Sequence, residues 1–281
     1  MAQREVRGVG LGLRAEYAAE LLGEVPDEVR WIEIHPENYV GRGGRFEANL
    51  EAAHARWPIV PHGLTLCFGT TERFEPGYVR ELRSLLRRVG APFYSDHLCW
   101  GGAGGAMLHD LLPLPFARES IDLAVQRARE LRDALELPVA IENVSYYAHP
   151  GAPEMDEPTF VLEVLEQADC AMLLDVNNVW VNSKNHGFDP RAYIDRIPAE
   201  RVVQIHVAGH LVRPDALIID THGEPICEGV YELLEHTLTR MGEKPVVLER
   251  DQNVPAWSEV LGEVRRLGEI YERATARSGP T

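Results

Sequence analysis

The chain has 281 residues, with 28 Lys+Arg against 44 Asp+Glu and a formal net charge of −16. Hydrophobic residues at 45% and charged residues at 26% are the balance of a folded globular domain, which excludes a disordered or fibrous chain. The acidic excess argues against a nucleic-acid backbone or an anionic membrane as the main partner.

Residues 1–9 carry Arg4 and Arg7 but no apolar stretch of the signal-peptide kind. No apolar run reaches the length needed to span a bilayer, so a cytoplasmic location is expected. Short apolar, β-branched runs then recur at 9–13, 31–35, 58–61, 93–96, 139–142, 171–175, 202–206 and 246–249. Each has the length and flanking residues of a buried strand. Between them, 74–89, 115–135, 158–168, 230–241 and 256–271 have helical character. The segment 115–135 is the clearest, with Phe116, Ile121, Val125, Ala128, Leu131 and Leu135 near the helical repeat. Pro76, Pro158 and Pro255 stand where helices are expected to start.

Eight strands alternating with helices predict the α/β class, and within it a (β/α)8 barrel. One domain is expected over 1–281, with its core at about 8–264 and a flexible tail at about 272–281. An open doubly wound sheet fits less well. The spacing Gly8-x-Gly10-x-Gly12 is wrong for a dinucleotide loop and lies within the first strand, and no Walker motif occurs. Cys67, Cys99, Cys170 and Cys227 are scattered without a C-x-x-C pair, so neither a disulfide framework nor a structural zinc knuckle is expected.

In such a barrel catalytic groups occupy the C-terminal ends of the strands. Seven of the eight runs turn polar there: Glu33 to Asn38, Pro61 to Gly63, Ser95 to His97, Glu142 and Asn143, Asp175 to Asn178, His206 to His210, and Glu249 to Asp251. The loop after the seventh run adds Asp220, Thr221 and His222. Converging that many ionisable groups on one mouth is unfavourable unless something compensates them. Bound cations would offset repulsion among Glu142, Asp175, Asp220 and Glu249, and His62, His97, His206 and His222 supply imidazole nitrogens. Strand alternation places Asp175 and Asn177 on one side, which makes Asn177 a better ligand candidate than Asn178. Nitrogen and oxygen donors without thiolate suit Fe, Mn or Zn, and the set exceeds the needs of one ion.

Other polar residues carry plainer expectations. His54, His109, His149 and His236 lie off the strand ends and are expected to be structural, His186 to sit in a loop, and His210 to stand between supporting and ligating roles. Glu33 and His35 form a polar layer or help position substrate. Asp96 and Asn143 are expected to orient His97 and Glu142, and Glu37, Asn38 and Asp251 to support the site or contact substrate. The glycine-rich 101–105 reads as a flexible loop, and Cys67 and Cys99 as packing residues.

The succession HPENY (35–39), PHG (61–63), SDHL (95–98), IENVS (141–145), LDVNN (174–178), HVAGH (206–210), DTHG (220–223) and LERD (248–251) resembles the multinuclear non-haem iron-dependent oxidative enzymes. The similarity runs in order from about Gly8 to Val264. That resemblance implies a triosephosphate-isomerase-type barrel holding two or three irons, Fe(II) and Fe(III). It also implies O2-dependent oxidation of a residue, usually Cys, in a ribosomally made precursor peptide. By matched position His62, His97 and Glu142 would serve one iron, and Glu142, Asp175, His206 and Glu249 the next. Asn177, Asp220 and His222 would serve a third, and Glu142, Asp175, His206 and Glu249 would be the catalytic set. The chain spends its length on the eight βα units, so leader recognition is expected from a separate partner protein or by docking on the barrel.

Two other functions compete. A divalent-metal sugar isomerase or epimerase uses a similar barrel, often with a Lys base. Here Lys184 is expected in a loop and Lys244 before the last strand, so no strand end offers one. The other is a non-catalytic metal-binding module. Trinuclear-zinc hydrolysis of DNA would want a basic cleft, and −16 speaks against it.

Overall fold

Alternation within each strand is what brings the polar strand ends together. In the computed structural model, which describes residues 5–103 and 106–276 and only the backbone of Ala103, Met107 and His109, the strands are short and buried. The first four are β1 (Val9–Gly12), β2 (Trp31–Ile34), β3 (Ile59–Pro61) and β4 (Tyr94–His97). A hairpin of β5 (Cys99–Ala103) and β6 (Ala106–Pro113) follows, and then β7 (Val139–Glu142), β8 (Ala171–Asp175) and β9 (Val202–Val207). The small pair β10 (Leu211–Val212) and β11 (Ile218–Ile219) precedes the last strand, β12 (Val246–Leu248).

Among the described residues, one parallel sheet of eight strands runs β3-β2-β1-β12-β9-β8-β7-β4. Its two edges meet at a parallel bridge between His62 and Ser95, where the Gly63 N–H donates to the Ser95 carbonyl at 2.7 Å. The sheet is therefore a nearly closed barrel, and the (β/α)8 expectation holds.

Trp31, Val60, Phe93, Ala140 and Val247 form an apolar cluster of their own. Two residues further along the same strands stand Glu33, His62, Ser95, Glu142 and Glu249. With a side-chain period of two, each pair shares a face, so an apolar plug at the N-terminal end is overlaid by a polar layer. The intervening residues, among them Ile32, Ile141 and Leu248, join the main core with helix residues such as Leu82, Ile121, Val164, Leu234 and Val264.

The helices wrap that core in chain order: α1 (Ala18–Glu24), α2 (Arg45–His54), α3 (Pro76–Val89), α4 (Arg118–Leu135), α5 (Glu157–Ala168), α6 (Val176–His186), α7 (Pro190–Arg196), α8 (Glu228–Met241) and α9 (Trp257–Thr275). Local chemistry starts them. Glu75 accepts from the Gly77 N–H at 2.7 Å before α3, and Asp156 from the Thr159 N–H at 3.0 Å before α5. Pro76 and Pro158 stand in the first turns.

Several expectations need correction. Gly101, Gly102 and Ala103 lie in strand β5 rather than in a loop, paired antiparallel with β6 from Cys99↔Pro113 to Ala103↔Ala106; Gly104 and Gly105 lie outside the described residues. Lys184 and His186 lie in α6 rather than in a loop, and the Lys184 ammonium sits 3.9 Å from the Trp180 ring centroid. The expected tail overlaps α9, which runs to Thr275; residues 277–281, like Arg4 and the His109 side chain, lie outside the described residues. No helix among the described residues is long and apolar enough to cross a membrane.

Candidate metal centre

Glu142, at the end of β7, is the hub. Its Oε2 lies 3.1 Å from His62 Nε2 and 3.2 Å from His97 Nε2, and its Oε1 lies 3.3 Å from His206 Nδ1. All four side chains are buried. The His62 and His97 rings meet edge-on at 4.7 Å, and the other His62 nitrogen, Nδ1, is 3.0 Å from Ser95 Oγ.

His206 turns the same Nδ1 toward Glu249 Oε2 at 2.9 Å. Its Nε2 points away from that pair, to Glu33 Oε2 at 2.9 Å, and Gln204 Nε2 donates to the same Glu33 oxygen at 2.5 Å. Asp175 closes this side. Its carboxylate caps α6 by accepting from the Asn178 N–H at 2.7 Å, and its backbone is clamped by Asn143, which donates to its carbonyl and accepts from its N–H.

Further toward the mouth, Asp220 Oδ1 is 2.8 Å from His222 Nε2 and accepts from Asn177 Nδ2 at 2.8 Å. His222 Nε2 also faces Asp175 Oδ2 at 3.9 Å, while its Nδ1 lies 3.2 Å from both Glu249 Oε2 and Asp251 Oδ2. His210 Nδ1 holds Asn177 Oδ1 at 2.7 Å, a supporting contact. Asn177 does face Asp220, but not through strand alternation: the strand ends at Asp175 and Asn177 lies in the first turn of α6. Asn178, on that same turn, donates to the Asn143 carbonyl at 3.0 Å instead.

Among the described residues, four sets present donor atoms all within 4.8 Å of one another: His62, His97 and Glu142; Glu142, Asp175, His206 and Glu249; His62, His206 and Glu249; and His35, Glu249 and Asp251. His62 Nε2, Glu142 Oε2, Asp175 Oδ2, His206 Nδ1 and His222 Nε2 are buried and crowd one another and neighbouring carboxylates at ion-pair distances, yet none of them makes an aligned hydrogen bond. Buried polar atoms left in that state are unfavourable, and a cation shared among them removes the penalty. The donors are nitrogen and oxygen only, which fits Fe, Mn or Zn.

The electrostatics say the same. Burial lowers an imidazole pKa, yet Glu33, Glu249 and Glu142 push His206 well above the ordinary value, and Asp220 and Glu249 do so for His222. Against the same burial, Glu142 and Asp96 push His97 up to about 10. Burial raises Glu142 and Glu249, but the surrounding imidazoles bring both well below the carboxylate range. Asp175 is raised, by burial first and by Glu142 and Asp220 against the opposing pull of His222. Protons on these histidines supply the positive charge that metal ions supply on binding, so loading with metal releases protons.

The remaining expected residues shape the walls. Asp96 accepts from the Leu66, Cys67 and His97 N–H groups and from the Tyr94 hydroxyl, so it fixes the loop after β3 as well as the His97 backbone. Glu37 accepts from the Leu64 N–H at 2.8 Å and the Thr65 hydroxyl at 2.9 Å, which ties down the same loop. Asn38 ends the short helix Pro36–Asn38 that carries Glu37. Arg14 donates from both Nε and Nη2 to the single Asp251 Oδ1, and its guanidinium also lies 3.6 Å from Glu249. Arg14 and Gln204 were not among the expected site residues. Gln204 carried a signal, two positions before His206 on one face; Arg14 follows the run at 9–13, the one of the eight that does not turn polar at its end.

Residues 8–272 match the model of the family described as RiPP precursor modification enzyme MbnB/TglH/ChrH. A UPF0276 protein of Pseudomonas aeruginosa strain UCBPP-PA14 is 44% identical over 97% of this chain and 95% of its own length. One of Anaeromyxobacter sp. strain Fw109-5 is 41% identical over 97% and 96%. Among solved structures, D-psicose 3-epimerase from Clostridium cellulolyticum H10 superposes with a TM-score of 0.60 at 11% identity, covering 96% of this chain and 97% of that one. The 3-keto-D-glucoside 4-epimerase of E. coli gives 0.58 at 11% identity, covering 94% and 98%. Likeness at that identity concerns the barrel and not its chemistry.

Proposed function

We propose a reaction for this chain from one premise: it belongs to the MbnB/TglH/ChrH family of RiPP precursor modification enzymes. The reaction is the iron- and O2-dependent oxidation of a residue, a cysteine by preference, in a ribosomally made precursor peptide. The observation that carries it is Glu142 set among three imidazole nitrogens at 3.1, 3.2 and 3.3 Å, with Asp175 and Glu249 in the adjoining set.

His62, His97 and Glu142 would hold one iron, Glu142, Asp175, His206 and Glu249 a second, and Asn177, Asp220 and His222 a third. Bound iron supplies a coordination site for the thiolate and the electrons for reducing O2. The protein's own part is positional. Glu33 and Gln204 take up the Nε2 side of His206, leaving its Nδ1 toward Glu142 and Glu249. Asp251, steered by Arg14, meets the Nδ1 side of His222 and leaves Nε2 toward Asp220. Asn143 and Asn178 lock the end of β8 so that Asp175 cannot swing away.

The partner set is a precursor peptide and a separate leader-recognition protein, with no role for nucleic acid. The test is metal content and Mössbauer spectra on anaerobically purified protein, followed by O2 uptake with candidate precursor peptides encoded nearby. Two or more irons per chain, part ferrous and part ferric, and peptide-dependent O2 uptake are expected. A single zinc or manganese, with no gain on iron reconstitution, would overturn the reading in favour of a sugar-epimerase-like activity. Pull-down with neighbouring gene products tests the partner protein.

A further inference from the structure

One residue beyond the metal centre the chain lines a second cavity. Ser145 donates to Asp220 Oδ2 at 3.2 Å, and the next residue, Tyr146, forms part of a cavity of about 510 Å³ bounded by the loop after β7 and by α5, α6 and α7. One part of its lining is aromatic. Tyr146 stacks on His186 with ring centroids 4.2 Å apart, His149 tilts against both at 5.1 and 5.2 Å, and Phe116 meets Tyr146 edge-on at 5.4 Å. Phe188 and Tyr193 add a second stacked pair. Burial and the neighbouring His186 lower the His149 pKa, so its ring is neutral near pH 7 and presents a π face rather than a charge.

The polar lining is one-sided. Glu154, Asp156, Glu157 and Asp189 face a single guanidinium, that of Arg196, which is already engaged by Asp156 at 2.5 Å. Glu157 is the deepest of the four, buried at the start of α5. Its hydrogen-bond partners are neutral: the Tyr193 hydroxyl at 3.2 Å, the Asn182 amide at 3.3 Å and the Tyr146 hydroxyl. A buried carboxyl with only neutral donors gains from a cation, and aromatic faces beside it attract the same kind of ligand. An apolar ligand would leave the carboxyls uncompensated, and an anion would be repelled by them.

We infer that this cavity is a subsite for a lysine or arginine side chain, its alkyl part lying along the Tyr146–His186 and Phe188–Tyr193 rings and its cation reaching Glu157. That the side chain belongs to the precursor peptide rests on the function proposed above; that the cavity takes an alkyl cation does not. The cavity shares the 143–149 loop with the metal centre, so a basic residue seated here fixes a nearby stretch of the same peptide relative to Asp220.

The test is binding of small probes, without O2 turnover. Acetyl-arginine amide, acetyl-lysine amide and acetyl-norleucine amide are titrated into the folded protein and followed by NMR. The two cationic amides are expected to bind at least about tenfold more tightly than the norleucine amide. Glu157→Gln, checked for folding by circular dichroism, should erase that preference. In the wild type, arginine amide should bleach the infrared band of a protonated carboxyl as Glu157 ionises, a readout that needs no variant. Equal affinity for norleucine amide, no binding of any of the three, or an unchanged arginine preference in Glu157→Gln each overturns the assignment. Failure of iron loading or O2 uptake would leave these binding results unaffected, so the two readings fail separately.

Discussion

Replacing Glu157 by Gln should make the protein more stable at alkaline pH and leave it little changed in acid. Burial pushes the Glu157 carboxyl up from 4.5 to about 8, with hydrogen bonds from Tyr193, Asn182 and Tyr146 opposing only in part. Between those values the folded protein keeps a proton that the unfolded chain has released, so stability falls as pH rises through this window. A gap of about 3.5 pH units at about 1.36 kcal/mol each is on the order of 5 kcal/mol, reached near pH 8 and above. The amide can keep the local bonds, with Nε2 toward the Tyr193 hydroxyl and Oε1 toward the Asn182 amide, and it has no proton to lose. The Tm of Glu157→Gln minus that of wild type should therefore be near zero at pH 5. At pH 9 it should reach roughly 10 °C, taking about 2 °C per kcal/mol for a domain of this size. Scanning calorimetry of both proteins at the two pH values, without added cationic ligand, gives the difference directly. The same difference at pH 5 and pH 9 would refute the reasoning, because it would show Glu157 ionised at both.

Three further predictions concern the metal centre. Glu33→Gln removes the carboxylate that holds His206 Nε2 at 2.9 Å, and metal affinity should drop by about 10–100-fold in competition with a chromophoric chelator; wild-type affinity would show that Glu33 does not support His206. Chelating the protein should lower its Tm, and returning Fe(II) at about 100 times its dissociation constant should restore about 2.7 kcal/mol. Melting curves identical with and without the metal would mean that these donors bind none. Gly63→Ala places a methyl 1.7 Å from the Tyr94 hydroxyl and 2.5 Å from Asp96 Oδ2, next to His62. It should cost about 1–3 kcal/mol by overpacking, seen as a lower urea midpoint, and an unchanged midpoint would contradict the packing described.

The sequence carried the architecture because each of the eight barrel strands declares itself locally, whereas the short pairs β5–β6 and β10–β11 do not. Val139–Glu142 and Ala171–Asp175 are short, apolar and end in acids, and their bounds coincide with the observed strands. Four helices escaped the periodic pattern. The helices α1 and α7 have 7 residues each, too few to establish a helical repeat. In α2 and α6 the apolar stripe is weak, and α6 buries polar residues such as Asn177, Asn178 and Asn182 in its place. For the same reason the sequence pattern suggests that the strand continues through Asn177: nothing local marks the change from strand to helix except Asp175 acting as the cap.

What the sequence by itself determined is which residues share a face. A period of two puts His62 above Val60, Glu142 above Ala140 and Glu249 above Val247, and strand propensity sets that period without reference to the rest of the chain. What only the tertiary structure decided is which of those faces meet. Glu33 and His206 are 173 residues apart in the chain, and Arg14 and Asp251 are 237 apart, yet both pairs are in hydrogen-bond contact. Those contacts depend on strand order and on closure of the barrel at His62 and Ser95, which arise from long-range pairing and carry no local signature.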